Sequence, residues 1–409
     1  MNKKWLSVIL FLTVLVSAGC FPSHPSNAKP NEAVHADDPS ARTGSKAVKK
    51  TVGGKGAAKP RVVSDLHLEQ IAGEINNIYY ANGNQVLIAA AQLYLYDLGT
   101  KKIVAQASRP HFKREKIWAT KNGYAAVRET QGSGGSGGLF MTKEAPQYHC
   151  FFYDANLRPR KAFKLDSLLE GDETMLSVEA IAVAGDGSRV AYATTAGLYL
   201  YDWQAKKKKK IIDLAADDAS RRFGLVTVEH MGFTDQDKRI AFKAQSFDVP
   251  AIPGKASFDT CGIVNTDGSA LSNRTFTDYT CRELTAYDQR LLLAEDFTTA
   301  SGRMLVMETA SGKTKLHTLT ERVESGNIAG SSTGRYFAAP APSGTGWNIR
   351  IYNTDTGAVE AEQFISCQGK ELYMANEPII KVVDESRTCL VLLGSKQAEI
   401  ESKMVVSQF

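Results

Sequence analysis

The 409-residue sequence contains little that would build a helical domain or a conventional active site. After residue 70 no long stretch of amphipathic 3.6-residue period is present, which excludes a helical body. There is no HExxH, no closely spaced His and carboxylate ligand set and no GxSxG elbow, so no catalytic, cofactor-binding or metal-ligating residue is assigned. The seven histidines are scattered: His24 and His35 precede the body, and His67, His111, His149, His230 and His317 are spread through it. Six cysteines form no C-x₂-C pair, which removes thiol exchange chemistry. Gly132-Ser-Gly-Gly-Ser-Gly-Gly138 lacks the Lys and Ser/Thr of a P-loop and reads as a flexible hairpin tip.

What is present begins with Met1–Cys20. Lys3 and Lys4 precede an apolar run from Trp5 to Val16, and Ser17, Ala18 and Gly19 lead into Cys20. The run is shorter than the roughly 20 residues of a bilayer span, and its small-residue end suits a peptidase groove. The segment resembles the lipobox of bacterial lipoproteins, which implies cleavage before Cys20 and acylation of that cysteine. Ordinary signal-peptidase cleavage and an uncleaved anchor are the alternatives. Under the lipoprotein resemblance, Phe21 in place of Asp implies outer-membrane delivery in a two-membrane cell, and the outer face of the plasma membrane otherwise.

From Phe21 to Leu66 the chain is rich in Pro, Gly, Ala, Ser, Asn and Lys and nearly empty of large apolar residues. Such a segment cannot bury enough surface to offset the entropy of ordering, so a flexible tether is expected. Its eight basic and four acidic residues account for +4 of the formal +5, and Lys3 and Lys4 for a further +2, leaving the rest near −1. A near-neutral exported body is a poor nucleic-acid reader. The expected organisation is a signal peptide over 1–19, a lipidated cysteine and tether over 20–66, and one domain over 67–409.

That domain is written in short runs of Val, Ile, Leu, Tyr and Phe separated by Gly, Asp and Asn turns, an all-β pattern. A unit recurs: Asn82-Gly-Asn-Gln-Val-Leu-Ile-Ala89 with Leu93-Tyr-Leu-Tyr-Asp97, and Ala184-Gly-Asp-Gly-Ser-Arg-Val-Ala-Tyr192 with Leu198-Tyr-Leu-Tyr-Asp202. Thr234–Phe242 and Ser332–Ala338 repeat its first half. Turn markers at Gly83, Gly187, Asp237 and Gly334 are 104, 50 and 97 residues apart, multiples of a period near 50. About seven such periods fill the body, and units that bury a face only when stacked radially predict a β-propeller of seven blades, with six as the alternative. A pair of β-sandwiches or another β solenoid is the competing architecture. The Ala184–Tyr192 stretch resembles the repeat of the propellers in TolB and in the N-terminal domains of dipeptidyl-peptidase-like proteins, a WD40-like architecture. That resemblance implies fold; the hydrolase domain that carries catalysis in such peptidases has no room here. Tyr94, Tyr96, Tyr199, Tyr201 and Tyr352 recur at equivalent positions and are expected to pack between blades from inner strands.

In an exported protein an even subset of the remaining cysteines should be oxidised. Cys261 with Cys281, enclosing a polar loop, and Cys367 with Cys389, across a hairpin of the last blade, are the expected pairs, leaving Cys150 free. Lys206, Lys207, Lys208, Lys209 and Lys210 read as a solvated blade edge that discourages edge pairing, with a docking patch for an acidic partner as the alternative. His111, Asp186, His230 and Asp235 are the residues that distant loops could bring to one propeller face. The resulting expectation is a lipid-anchored envelope module presenting propeller loops to a protein partner. A glycan- or peptide-binding propeller is the alternative, and a propeller hydrolase or lyase a third. A rim of exposed Trp or Tyr favours the first, and a polar axial pocket with aromatic faces the second.

Overall fold

A computed structural model describes residues 59–110, 112–130, 146–214, 225–246, 258–276, 279–295, 302–319 and 328–409. Cys20, most of the tether, His111 and the glycine-rich Gly132–Gly138 lie outside the described residues. The strands form seven four-stranded antiparallel sheets, each a meander in chain order except the last. Blade 1 is built from β2 (Asn77–Asn82), β3 (Gln85–Ala89), β4 (Leu93–Asp97) and β5 (Lys102–Ala107). Blade 2 is β6 (Arg114–Thr120), β7 (Gly123–Thr130), β8 (Gln147–Asp154) and β9 (Pro159–Lys164). Blade 3 is β10 (Ile181–Val183), β11 (Arg189–Ala193), β12 (Gly197–Asp202) and β13 (Lys207–Asp213). Blade 4 is β14 (Leu225–Thr234), β15 (Arg239–Ser246), β16 (Phe258–Asn265) and β17 (Ser272–Phe276). Blade 5 is β18 (Cys281–Ala286), β19 (Arg290–Glu295), β20 (Arg303–Glu308) and β21 (Thr314–Thr318). Blade 6 is β22 (Ala329–Gly330), β23 (Tyr336–Ser343), β24 (Gly346–Asn353) and β25 (Val359–Ser366).

Blade 7 closes the ring. Its β26 (Ile379–Val383), β27 (Thr388–Leu393) and β28 (Lys403–Gln408) are completed by β1 (Arg61–His67), which pairs antiparallel with β28 from Arg61↔Gln408 to His67↔Lys403. The propeller therefore begins six residues before the expected boundary at 67. Those six residues end the composition-defined tether, yet Leu66 is buried in the cluster between blades 7 and 1.

Seven apolar clusters hold the ring, one at each junction between neighbouring blades. Full burial of one Val, Leu, Ile or Phe contributes roughly 1.5–3 kcal/mol, so each junction is a substantial core of its own. Tyr94, Tyr96, Tyr199 and Tyr352 are buried in these clusters and Tyr201 packs against one. They stand on the third strand of their blades (β4, β12 and β24), one strand beyond the central position and two from the axis, rather than on inner strands.

One end of the ring carries short turns. Gly83, Gly187, Asp237 and Gly334 all sit with positive φ between the first and second strands of blades 1, 3, 4 and 6. The marker spacings were thus two blades, one blade and two blades. These turns are clasped to one another: Asp186 N–H donates to Asp237, Gln236 N–H to Asp288 and Thr333 N–H to Asp384, each in the next blade. Among the described residues, the longer connections 165–180 and 367–378 leave from the opposite end.

Candidate functional site at the propeller axis

The first strands of successive blades surround the axis, and their polar side chains set its chemistry. Lys116 on β6 pairs with Glu179, in the 3-10 turn that precedes β10, at 3.3 Å. His230 on β14 follows, then Glu283 on β18 and Lys381 on β26. Burial pushes the His230 imidazole down to about 4, with Lys116 and Lys243 adding to the effect and Glu179 and Glu229 opposing it. Burial raises the Glu283 carboxyl, and Arg282, Lys116 and Lys381 counteract it. Lys381 is lowered by burial and partly restored by Glu283. Each member of this last pair is a charged group whose ionisation is disfavoured by its surroundings and supported by the other.

Between Glu283 and Lys381, among the described residues, the first strand of blade 6 is Ala329–Gly330, and Gly330 packs so closely on Tyr287 that a Cβ there would stand 1.8 Å from its hydroxyl. A cavity of about 690 Å³ opens at this place, lined by β2, β18, β22 and β26 and by the chain before and after blade 7's first hairpin. Its volume falls in the range of small-molecule sites, roughly 300–1,000 Å³. Asn76, Asn77, Thr285 and Asn376 supply neutral hydrogen-bonding groups. The Lys381 ammonium lies 5.5 Å from the centroid of the Tyr79 ring, whose hydroxyl receives Asn77 Nδ2 at 3.1 Å. Asn376 Nδ2 donates to Ser395 O at 3.0 Å and Lys396 N–H to Ile75 O at 2.9 Å, which fixes the surrounding loops. The arrangement can hold oppositely charged groups of one ligand. Among the described residues no cluster of His, Cys, Asp and Glu is suited to a metal ion.

A second cleft, about 520 Å³, lies between blades 1 and 2 beside Arg109, Phe151, Tyr153, Arg160 and Lys161. Behind it Glu115 is sandwiched by Arg109 and Arg128, all three nearly inaccessible to solvent. Arg128 stacks 4.6 Å from the Phe151 ring centroid and donates to the Tyr153 hydroxyl at 3.3 Å.

The residues expected from sequence are distributed differently. Asp186 and Asp235 belong to the short-turn end, where Asp235 pairs with Arg239 at 3.3 Å, whereas His230 faces the axis. The structure does not gather these three into a site. The lysine run begins in the turn before β13 and continues along that outer strand, but much of it is engaged internally. Lys208 Nζ reaches Leu168 O at 2.6 Å and Glu170 at 2.9 Å, Lys209 Nζ reaches Asp267 O at 2.7 Å in the next blade, and Lys210 pairs with Asp213 at 3.3 Å. Lys206, Lys207, Lys209 and Lys210 are exposed all the same, and Lys208 is half-buried.

The expected disulfides are not formed, and Cys150, Cys261, Cys281, Cys367 and Cys389 are all buried thiols. The polar loop that Cys261–Cys281 was expected to clamp contains β17, already laddered to β16. Cys281 Sγ instead donates to Glu283 O at 3.3 Å. Cys367 and Cys389 do not face each other across a hairpin: Cys367 follows the outer strand of blade 6, and Cys389 lies on β27 of blade 7. Among the described residues the exposed large apolar side chains are Val62, Val63, Val104, Leu316, Phe364 and Leu372, with no Trp or Tyr.

No protein-family model matches the chain, and no curated protein matches it. Among solved structures it is similar to the β-propeller domain of Cps50 (Swd1) from Myceliophteria thermophila, with a TM-score of 0.53 and 11% identity, over 86% of this chain and 99% of that one. At that identity the likeness is one of fold, a seven-bladed WD40-type propeller.

Proposed function

We propose that this protein is a binding propeller of the bacterial cell envelope, lipid-anchored through Cys20, that takes a polar ligand in its axial cavity. The carrying observation is that Glu283 and Lys381, from different blades, line one cavity beside Ala329 and Gly330. The absence of Trp and Tyr from the exposed apolar residues described weighs against the docking-rim reading. The length of the connections gathered at one end supports the second reading, in which a protein partner is held there.

Two measurements test the proposal. Membrane fractionation of a Cys20→Ala form should move the protein from the membrane to the soluble fraction; retention there would refute lipid anchoring. Native mass spectrometry of protein purified from its own membrane should show a bound small molecule that a Lys381→Met, Glu283→Gln double variant loses. An identical ligand load in the folded double variant would place binding elsewhere.

A further inference from the structure

The cavity's charges are balanced as well as separated. Its lining includes two carboxylates, Glu283 and Glu377, and two ammonium groups, Lys381 and Lys396. Among the described residues no carboxylate lies within 4.0 Å of the Lys381 ammonium, which has the Tyr79 ring beside it. Glu283 is paired with Arg282 at the long distance of 3.8 Å and is itself half-buried. A purely anionic ligand would satisfy Lys381 while adding a like charge near Glu283, and a purely cationic one would do the reverse. Like-charge juxtaposition in a partly desolvated site is costly, whereas a ligand bearing both signs compensates both walls at once. Charge-assisted hydrogen bonds to such groups are roughly twice as strong as neutral ones. The neutral amides of Asn76, Asn77 and Asn376 suit the peptide or side-chain groups between two such ends.

Resting on the reading of this cavity as a binding site, we infer that its ligand is a small zwitterion, a free amino acid or short peptide, with its carboxylate on Lys381 and its ammonium on Glu283.

Calorimetric titration of the full-length, detergent-solubilised protein tests this with four probes: alanyl-alanine, its N-acetyl form, its C-terminal amide and the doubly blocked peptide. The free dipeptide should bind, and each blocking group should weaken it by about tenfold or more, corresponding to about 1.4 kcal/mol. Lys381→Met should erase the penalty for amidation alone, and Glu283→Gln the penalty for acetylation alone, with folding of both variants verified by circular dichroism. Equal binding of free and doubly blocked peptides overturns the zwitterion inference and leaves the cavity reading standing. Binding that distinguishes the probes but ignores both substitutions overturns both, and so does failure of every probe combined with an unchanged natural ligand load in the double variant. Failure of every probe while that natural load is lost from the variant overturns the zwitterion inference alone if the lost molecule lacks either charge.

Discussion

Arg189, the first residue of β11, donates from Nη2 to the Asp237 carbonyl of the next blade at 3.0 Å. The same position is used twice more in succession. Arg239 opens β15 and reaches Thr309 O in blade 5 at 3.1 Å, and Arg290 opens β19 and reaches Asp355 in blade 6 at 2.8 Å. A long, multiply donating side chain at the start of the second strand thus ties each of blades 3, 4 and 5 to its successor on the short-turn end.

Replacing any one of these arginines with Ala should cost about 0.5–1.5 kcal/mol, the usual net value of one such bond. Because the three bonds join different pairs of blades, the losses should add in the triple variant. Chemical denaturation of the three single variants and the triple checks this; a triple no weaker than a single would show that the ties do not act independently.

Glu115 is the sole carboxylate shown between Arg109 and Arg128, and all three side chains are buried. Glu115→Gln leaves two guanidinium groups facing each other without their counter-charge. The expected loss is about 3–5 kcal/mol. Denaturant midpoints give the value, and a loss below 1 kcal/mol would mean that the triad is far more hydrated than its burial implies.

His230 makes stability depend on pH in a defined direction. Its folded-state value of about 4 lies below the ordinary imidazole value, so between those two values the unfolded chain binds more protons. Its contribution is therefore complete above the ordinary value and is lost as pH falls toward 4. Thermal melts of the wild type should decline through this window more steeply than those of His230→Asn; parallel curves would contradict the assignment.

The five buried thiols should be silent to a thiol-specific dye in the folded protein. Burial raises the thiol values of all five, and for Cys389 up to about 12, which suppresses the reactive thiolate. After unfolding in denaturant without reductant, all five should titrate. Recovery of only three or one would reveal disulfides formed in the native compartment.

The blade count was legible because turn chemistry repeats where the backbone needs positive φ, at Gly83, Gly187, Asp237 and Gly334. Blades 2 and 5 were hard to recognise for the same reason. Blade 2 turns through Lys121 and Asn122 into Gly123, and blade 5 turns through Tyr287, Asp288 and Gln289 with no glycine. The arginines of the Ser-Arg-Val and Lys-Arg-Ile segments were visible as part of the repeat, but the carbonyls they reach are 48 and 70 residues away. The axial site was hidden more deeply. Glu283 and Lys381 belong to different blades, and no motif in the sequence joins them. One signal was available: Lys116, Glu179, His230 and Glu283 each precede the first turn of their blade by about five residues, a polar position repeating with the blades. The cysteine pairing failed because sequence separation says nothing about which blade face a thiol occupies.

The pairing of β1 with β28 also sets an order of events in time. The first of the described strands has no partner until the last has been made, so β1 waits unpaired while the intervening blades are synthesised. Contacts so distant in sequence form slowly, and an unpaired strand edge invites association with other chains. Folding helpers that shield Arg61–His67 during that interval should therefore govern yield more strongly than any single blade does, and loss of only Met404–Gln408 should leave a complete set of other strands unable to form a closed molecule.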